Sequence, residues 1–114
     1  MTTIINLTPH TVVIAAPSET MMIPSSGVAR VGTSPSFDMS PINGIPVVSS
    51  PSATGVVGLP PPQSHTVYIV SGMVLAQCKG RTDVFAPGTG PNDGAIRNDA
   101  GQIVAVTRLI AAPR

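Results

Sequence analysis

Proline and glycine interrupt this chain more often than a long helix tolerates. Thirteen prolines and eleven glycines fall among 114 residues, and no uninterrupted helical pattern of twelve residues remains between them. Proline lacks a backbone donor and clashes with the preceding helical turn, and both residue types mark turns. We therefore predict a mainly β protein with at most one short helix.

Segments rich in Val, Ile and Thr recur every 8 to 12 residues, with turn residues between them. That spacing is typical of a small β-sandwich or barrel, here a single domain over residues 1–114. Because the residue before Pro9 is disfavoured in a helix, we predict that the first two segments are neighbouring strands. The predicted strands are Thr3–Leu7, Thr11–Ala16, Thr20–Ile23, Val28–Val31, Ile45–Val48, Gly55–Leu59, Thr66–Val70, Asp83–Phe85, Ala95–Arg97 and Ile103–Leu109.

Two local elements have clearer signals. The run AIRN-DAG-QIVAVTRL places a short glycine-containing loop between two β-prone segments and predicts a hairpin. Met73–Cys78 fits a short helix as well as a strand. For a helix, Ser71 can cap the start and Gly80 can close the end in a left-handed conformation.

Ser, Pro and Gly dominate residues 32–55, which predicts an extended loop or an arm. Fixing a backbone costs about 1–2 kcal/mol per residue, so we expect this segment to be ordered only where something covers it. The side chains that can anchor it are Phe37, Met39, Ile42, Ile45, Val47 and Val48.

Charge is sparse, and it constrains the partners. Charged residues make up 10% of the chain, against about 25% in ordinary proteins, and the net charge is +1. Such a surface suits a homo-oligomer or a protein in contact with other phage or host proteins. The six basic residues are scattered, which argues against binding to duplex nucleic acid. No run approaches the ~18 apolar residues of a membrane span.

Metal and thiol chemistry find little support. His10, His65 and Cys78 show none of the close spacings of zinc or iron sites, so we predict no metal and no cofactor. A single cysteine cannot form an internal disulfide, which fits a reducing cytoplasm or a particle assembled there. Cys78 lies in the apolar run MVLAQC and is predicted to be a core residue instead of a nucleophile.

The stretch FAPGTGPNDGAIRND is the best candidate for ligand binding. Gly88, Gly90 and Gly94 permit backbone conformations in which successive amides form an anion-binding nest. Arginines stand on both sides, although a salt bridge and a turn-rich connection explain the same residues. The predicted ligand-binding residues are Arg81, Thr82, Asp83, Gly88, Thr89, Gly90, Asn92 and Arg97, together with His10.

A second candidate lies in INLTPH, at Ile5–His10. Asn and Thr side chains bond nearby backbone groups and Pro9 stiffens the corner, so Asn6, Thr8 and His10 are predicted to shape a turn. A ligand role for His10 is the less favoured alternative.

Several segments together resemble a family of small uncharacterised proteins of phages, prophages and bacteria. The segments, which cover nearly the whole chain in order, are INLTPH, IPSSGVARV, INGIPV, GLPPPQ, VYIVSGMVLAQ, RTDVFAPGTGP and IRNDAGQIVAVTRL. The family usually has DTGP where this chain has GTGP at Gly88–Pro91, so a carboxylate is missing here. The resemblance implies a phage setting and no particular reaction, and it makes this chain inactive if that acid is catalytic in other members.

No acid, base and nucleophile converge in the sequence, so we predict that the protein is not an enzyme. The favoured function is a phage accessory protein in the host cytoplasm that binds a small anionic ligand or a host protein, with sequestration of a nucleotide signal as one form of counter-defence. The alternative is a virion structural protein, either a capsid decoration or a tail component.

Overall fold

Twelve strands and one short helix make up the chain in a computed structural model that describes residues 1–114. The predicted mainly β fold with a single short helix is confirmed. The elements are β1 (Thr3–Asn6), β2 (Val12–Ala15), β3 (Thr20–Ile23), β4 (Arg30–Thr33), β5 (Asp38–Ile42), β6 (Ile45–Val48), β7 (Ala53–Val57), β8 (Thr66–Ile69), α1 (Gly72–Ala76), β9 (Val84–Pro87), β10 (Ile96–Arg97), β11 (Ile103–Ala105) and β12 (Leu109–Ala111).

A mixed four-stranded sheet, in the order β1-β8-β9-β12, is the centre of the molecule. β1, β8 and β9 run parallel, and β12 pairs antiparallel with β9. Parallel neighbours need a crossover connection, and the chain between β8 and β9 supplies one that contains α1. The remaining strands form four two-stranded sheets, and no sheet closes on itself, so the barrel alternative is wrong.

The central sheet has a core on each face. Tyr68 and Val70 pack with α1 on one face, while Ile69 packs with β2 on the other. All three side chains are fully buried because β8 is covered on both sides. Only 16 of the 114 residues are buried, so most of the chain outside this sheet stays near the surface.

Of the two alternatives for Met73–Cys78, the structure has a helix. Ser71 caps it, and the Ser71 hydroxyl accepts a 3.4 Å hydrogen bond from the amide of Val74. Gly80 is left-handed, with φ of +86°, as predicted, but it closes the turn after the helix, in which the amide of Arg81 bonds the carbonyl of Cys78. Cys78 is buried in the core, as predicted.

Residues 30–57 form a long arm. β4 pairs with β7 at its base, and β5 pairs with β6 at its tip, where Asn43 and Gly44 make the turn. Both turn residues have positive φ, 51° and 79°, the conformation of a two-residue type I′ hairpin. We call residues 38–48 the ribbon. Its first strand, β5, was missing from the sequence prediction.

Two predicted strand arrangements are wrong. β1 and β2 are not neighbours: β1 pairs with β8, and β2 pairs with β3 on the other side of a corner at Asn6. The predicted strand Ile103–Leu109 is divided into β11 and β12. The chain bends between them because the Thr107 hydroxyl bonds the carbonyls of Asp93 and Gly94, at 3.2 Å each.

The hairpin predicted near the C-terminal end of the sequence is confirmed. β10 and β11 pair antiparallel, with Arg97 opposite Ile103. The register shifts between Ile96 and Arg97, which is a β-bulge.

Candidate functional site

The INLTPH corner is built around one buried amide. The Asn6 side chain donates 2.8 Å hydrogen bonds to the carbonyls of His10 and Ile23. Its oxygen accepts from both the amide and the hydroxyl of Thr8, at 2.9 and 2.7 Å. Every hydrogen-bonding position of this fully buried side chain is therefore used within the chain. His10 contributes its carbonyl, and its side chain lies on the surface.

Arg81 and Asp83 form a bidentate ion pair ahead of β9. The Nε and Nη2 atoms of Arg81 each lie 2.8 Å from a carboxylate oxygen of Asp83, and Nη2 also bonds the carbonyl of Pro60 at 3.1 Å. The two side chains are 25% and 15% exposed. The hydrogen bond from Arg81 lowers the pKa of Asp83 below its ordinary value and raises that of Arg81.

A cleft of about 420 Å³ opens beside this ion pair. Arg81 and Thr82 line one side, and the chain from Ala111 to Arg114 lines the other. The hydrogen bonds of Arg81 occupy Nε and Nη2, which leaves Nη1 for another group. Two arginines and a threonine hydroxyl beside a concave surface can bind a small anion.

The glycine loop is closed by groups of its own chain. The amide of Gly90, which the nest would direct at an anion, instead donates a 2.8 Å hydrogen bond to the carboxylate of Asp93. The amide of Gly88 bonds the carbonyl of Arg108, and an Arg108 nitrogen lies 3.4 Å from the carbonyl of Asn92. Thr89 and Asn92 are exposed on the outside of the loop.

The sequence-predicted site residues lie in separate places. Asp83 and Gly88 stand at opposite ends of β9, which puts them roughly 16 Å apart at the rise of an extended strand. Arg97 bonds the carbonyl of Gly101 within its own hairpin at 2.8 Å. Arg81, Thr82 and Asp83 are thus together at one end of β9, and the glycine loop is at the other.

Cys78 is enclosed in the core. Its sulfur lies 3.2 Å from the carbonyl of Val74, to which the thiol donates. Burial raises the pKa of the thiol, the charge of Asp83 raises it further, and Arg81 lowers it in part. Nowhere in the structure do three His, Cys, Asp or Glu side chains come together. The helix is far too short to cross a membrane.

The ribbon carries a feature that the sequence reasoning missed. The pairs Met39–Val47 and Ile42–Ile45 share one side, because a bulge adds one residue to β5 between them. Met39, Ile42 and Ile45 are 51%, 62% and 61% exposed. We call these four residues the apolar face. Asp38 and Val48 pair on the opposite side. The Asn43-Gly44 dipeptide between β-prone residues is the signal that reveals this hairpin.

Comparison of the chain with family models, curated proteins and solved structures gives no match. The geometry defines a mainly β protein with three candidate places for an interaction: the apolar face, the Arg81 cleft and the INLTPH corner.

Proposed function

We propose that this chain is a non-catalytic phage protein that works by binding another protein through the apolar face of the ribbon. The phage setting rests on the resemblance of its motifs. The observation that carries the proposal is the exposure of Ile42 and Ile45, more than 60% each, at the tip of an ordered arm. Contiguous exposed apolar side chains mark interaction surfaces, and an isolated two-stranded hairpin is at best marginally stable in water.

Two settings fit this proposal, namely a host-protein binder in the host cytoplasm and a virion component such as a capsid decoration or tail protein. The low charge and the projecting arm support the virion. Mass spectrometry of particles purified from the phage that encodes the chain distinguishes the two settings. The virion component is present at stoichiometric level, and the host-protein binder is absent.

The matched variants Ile45→Lys and Val48→Lys test the role of the apolar face. Both positions lie on β6 with similar exposure, 61% and 58%, but on opposite sides of the ribbon. Ile45→Lys should remove the chain from its complex or particle, whereas Val48→Lys should leave it in place. Equal retention of both variants contradicts the proposal.

A second candidate function is binding of a small anionic ligand, such as a nucleotide signal, in the cleft beside Arg81. The specific support is the free Nη1 of Arg81, oriented by Asp83, together with Thr82 and Arg114 around a volume of about 420 Å³. This form of the function places the ligand away from the glycine loop.

Thermal shift with a panel of cyclic and linear nucleotides tests the cleft. A true ligand at one hundred times Kd adds about 2.7 kcal/mol of stability. Arg81→Ala should abolish the ligand-induced shift, measured against the variant's own baseline, and Arg97→Ala should retain it because Arg97 bonds only its own hairpin. A shift that survives Arg81→Ala excludes the cleft as the site.

A further inference from the structure

We infer that a second copy of this chain covers the apolar face, so that two ribbons pack face to face about a twofold axis. The inference rests on the proposed function, because it names the partner that the apolar face binds first. A twofold interface uses the same surface on both subunits, so the surface must be complementary to itself.

The accessible surface of the chain is too large for a monomer of its mass. It measures 7674 Å², whereas a compact monomer of 11.6 kDa exposes about 5,800 Å². The radius of gyration is 17.3 Å, against about 13 Å for a compact domain of this length. The excess of roughly 1,800 Å² exceeds the ~800 Å² that one partner contributes to a standard interface. The arm therefore offers enough area for a stable dimer.

The distribution of charge favours an identical partner. Between Arg30 and Lys79 the only Asp, Glu, Lys or Arg is Asp38, which lies on the side of the ribbon away from the apolar face. A twofold axis through the apolar face brings Met39, Ile42, Ile45 and Val47 against the same residues, with no like charges opposed. A charged partner would leave its own charges without a counterpart on this surface.

The edges of the ribbon favour packing through its face over addition of a strand. Ile42 and Ile45 close the turn as a facing pair, so alternation directs the nitrogens of Pro41 and Pro46 to the outer edges. Proline has no amide hydrogen to donate to a new strand. Two ribbons can instead stack as packed sheets do, about 10 Å apart, with their apolar side chains between them.

Sedimentation velocity of the purified full-length chain tests the dimer. The wild-type protein should sediment with twice the 11.6 kDa chain mass. Ile45→Lys should raise the dimer dissociation constant at least about 100-fold, because the symmetry buries two unpaired charges. Val48→Lys should change it less than threefold, and circular dichroism should show both variants folded. A monomeric wild-type protein, or equal loss with both variants, overturns the inference.

A charge-swap mixture tests the face-to-face arrangement. Ile45→Lys and Ile45→Asp should each be monomeric alone and should form a heterodimer when mixed, because Lys from one ribbon then meets Asp from the other. A mixture that stays monomeric while the wild-type protein dimerises overturns the arrangement. If the wild-type protein is monomeric but Ile45→Lys still leaves its complex or particle, a different protein covers the face; the inference then fails and the proposed function stands. If the dimer forms and both variants stay in that complex, only the proposed function fails.

Discussion

Asn6 shows how one polar side chain can fix a change of direction between two sheets. It lies at the end of β1, and its amide joins the carbonyls of His10 and Ile23 while its oxygen holds Thr8. The sequence correctly predicted that Asn6 and Thr8 shape a turn, because Asn followed two residues later by Thr-Pro favours local side-chain bonds. It did not predict Ile23 as a partner, since that contact depends on where β3 lies.

Replacing Asn6 with Ala should destabilise the fold by about 3 kcal/mol, because two carbonyls lose their donor and a cavity remains. Urea unfolding measures the change. His10→Ala is the control, since only the backbone of His10 takes part, and it should change stability by less than about 0.5 kcal/mol. Equal losses in the two variants contradict this account of the corner.

The Arg81–Asp83 ion pair should make stability depend on pH in the acid range. The pKa of Asp83 is lowered in the folded protein, so the pair stabilises the fold above the ordinary carboxyl value of 3.8, and that stabilisation is lost as the pH falls through the folded pKa. Unfolding should become easier below about pH 4. Asp83→Asn should lose this acid-dependent part, whereas Asp38→Asn, which removes no ion pair, should keep it. Urea titrations at a series of pH values measure both, and identical profiles refute the role of the pair.

At the scale of elements, composition and spacing predicted most strands, but not their pairing. β1 joins β8, more than sixty residues away, and no local pattern specifies such a contact. Ile103–Leu109 looked like one strand because its β-prone residues are continuous, and the bend at Thr107 depends on loop carbonyls elsewhere in the chain. For the site, the Arg81–Asp83 pair was foreseeable as a salt bridge two residues apart, whereas the separation of Asp83 from Gly88 required β9 to be fully extended.

The glycine loop needs Gly88 for packing. A methyl carbon at this position would lie 2.8 Å from Cγ of Arg108 and 3.2 Å from Cβ of Asp93. Gly88→Ala should therefore destabilise the protein by about 1–3 kcal/mol, measured by thermal unfolding. Gly72→Ala, at an open position at the start of α1, should be neutral or slightly stabilising. A neutral Gly88→Ala would show that Arg108 moves aside freely.

The turn of the ribbon needs Gly44 for its backbone conformation. With φ of +79°, an alanine there is strained although nothing crowds it. Gly44→Ala should cost about 1 kcal/mol in the opening of the ribbon and leave the central sheet unchanged. Native-state hydrogen exchange should show faster exchange at Ile42 and Ile45 and no change at Tyr68. Unchanged exchange in the ribbon contradicts the type I′ turn.

The whole molecule combines a small two-faced core with a projecting arm, and its longest dimension is 58 Å. The sequence indicated the arm through its Ser, Pro and Gly content and indicated association through its low charge. It could not show that the ribbon gathers its apolar residues on one side, because that depends on the bulge in β5. The apolar face is thus a product of register, and register is not visible in composition.

Hydrogen–deuterium exchange of the ribbon as a function of protein concentration tests the central claim most directly. If a second copy covers the apolar face, amides of residues 38–48 should become at least about tenfold more protected as the concentration rises through the dimer dissociation constant, while Tyr68 stays equally protected throughout. Protection of the ribbon that is independent of concentration, or exchange at the rate of an unstructured chain at every concentration, would contradict the account.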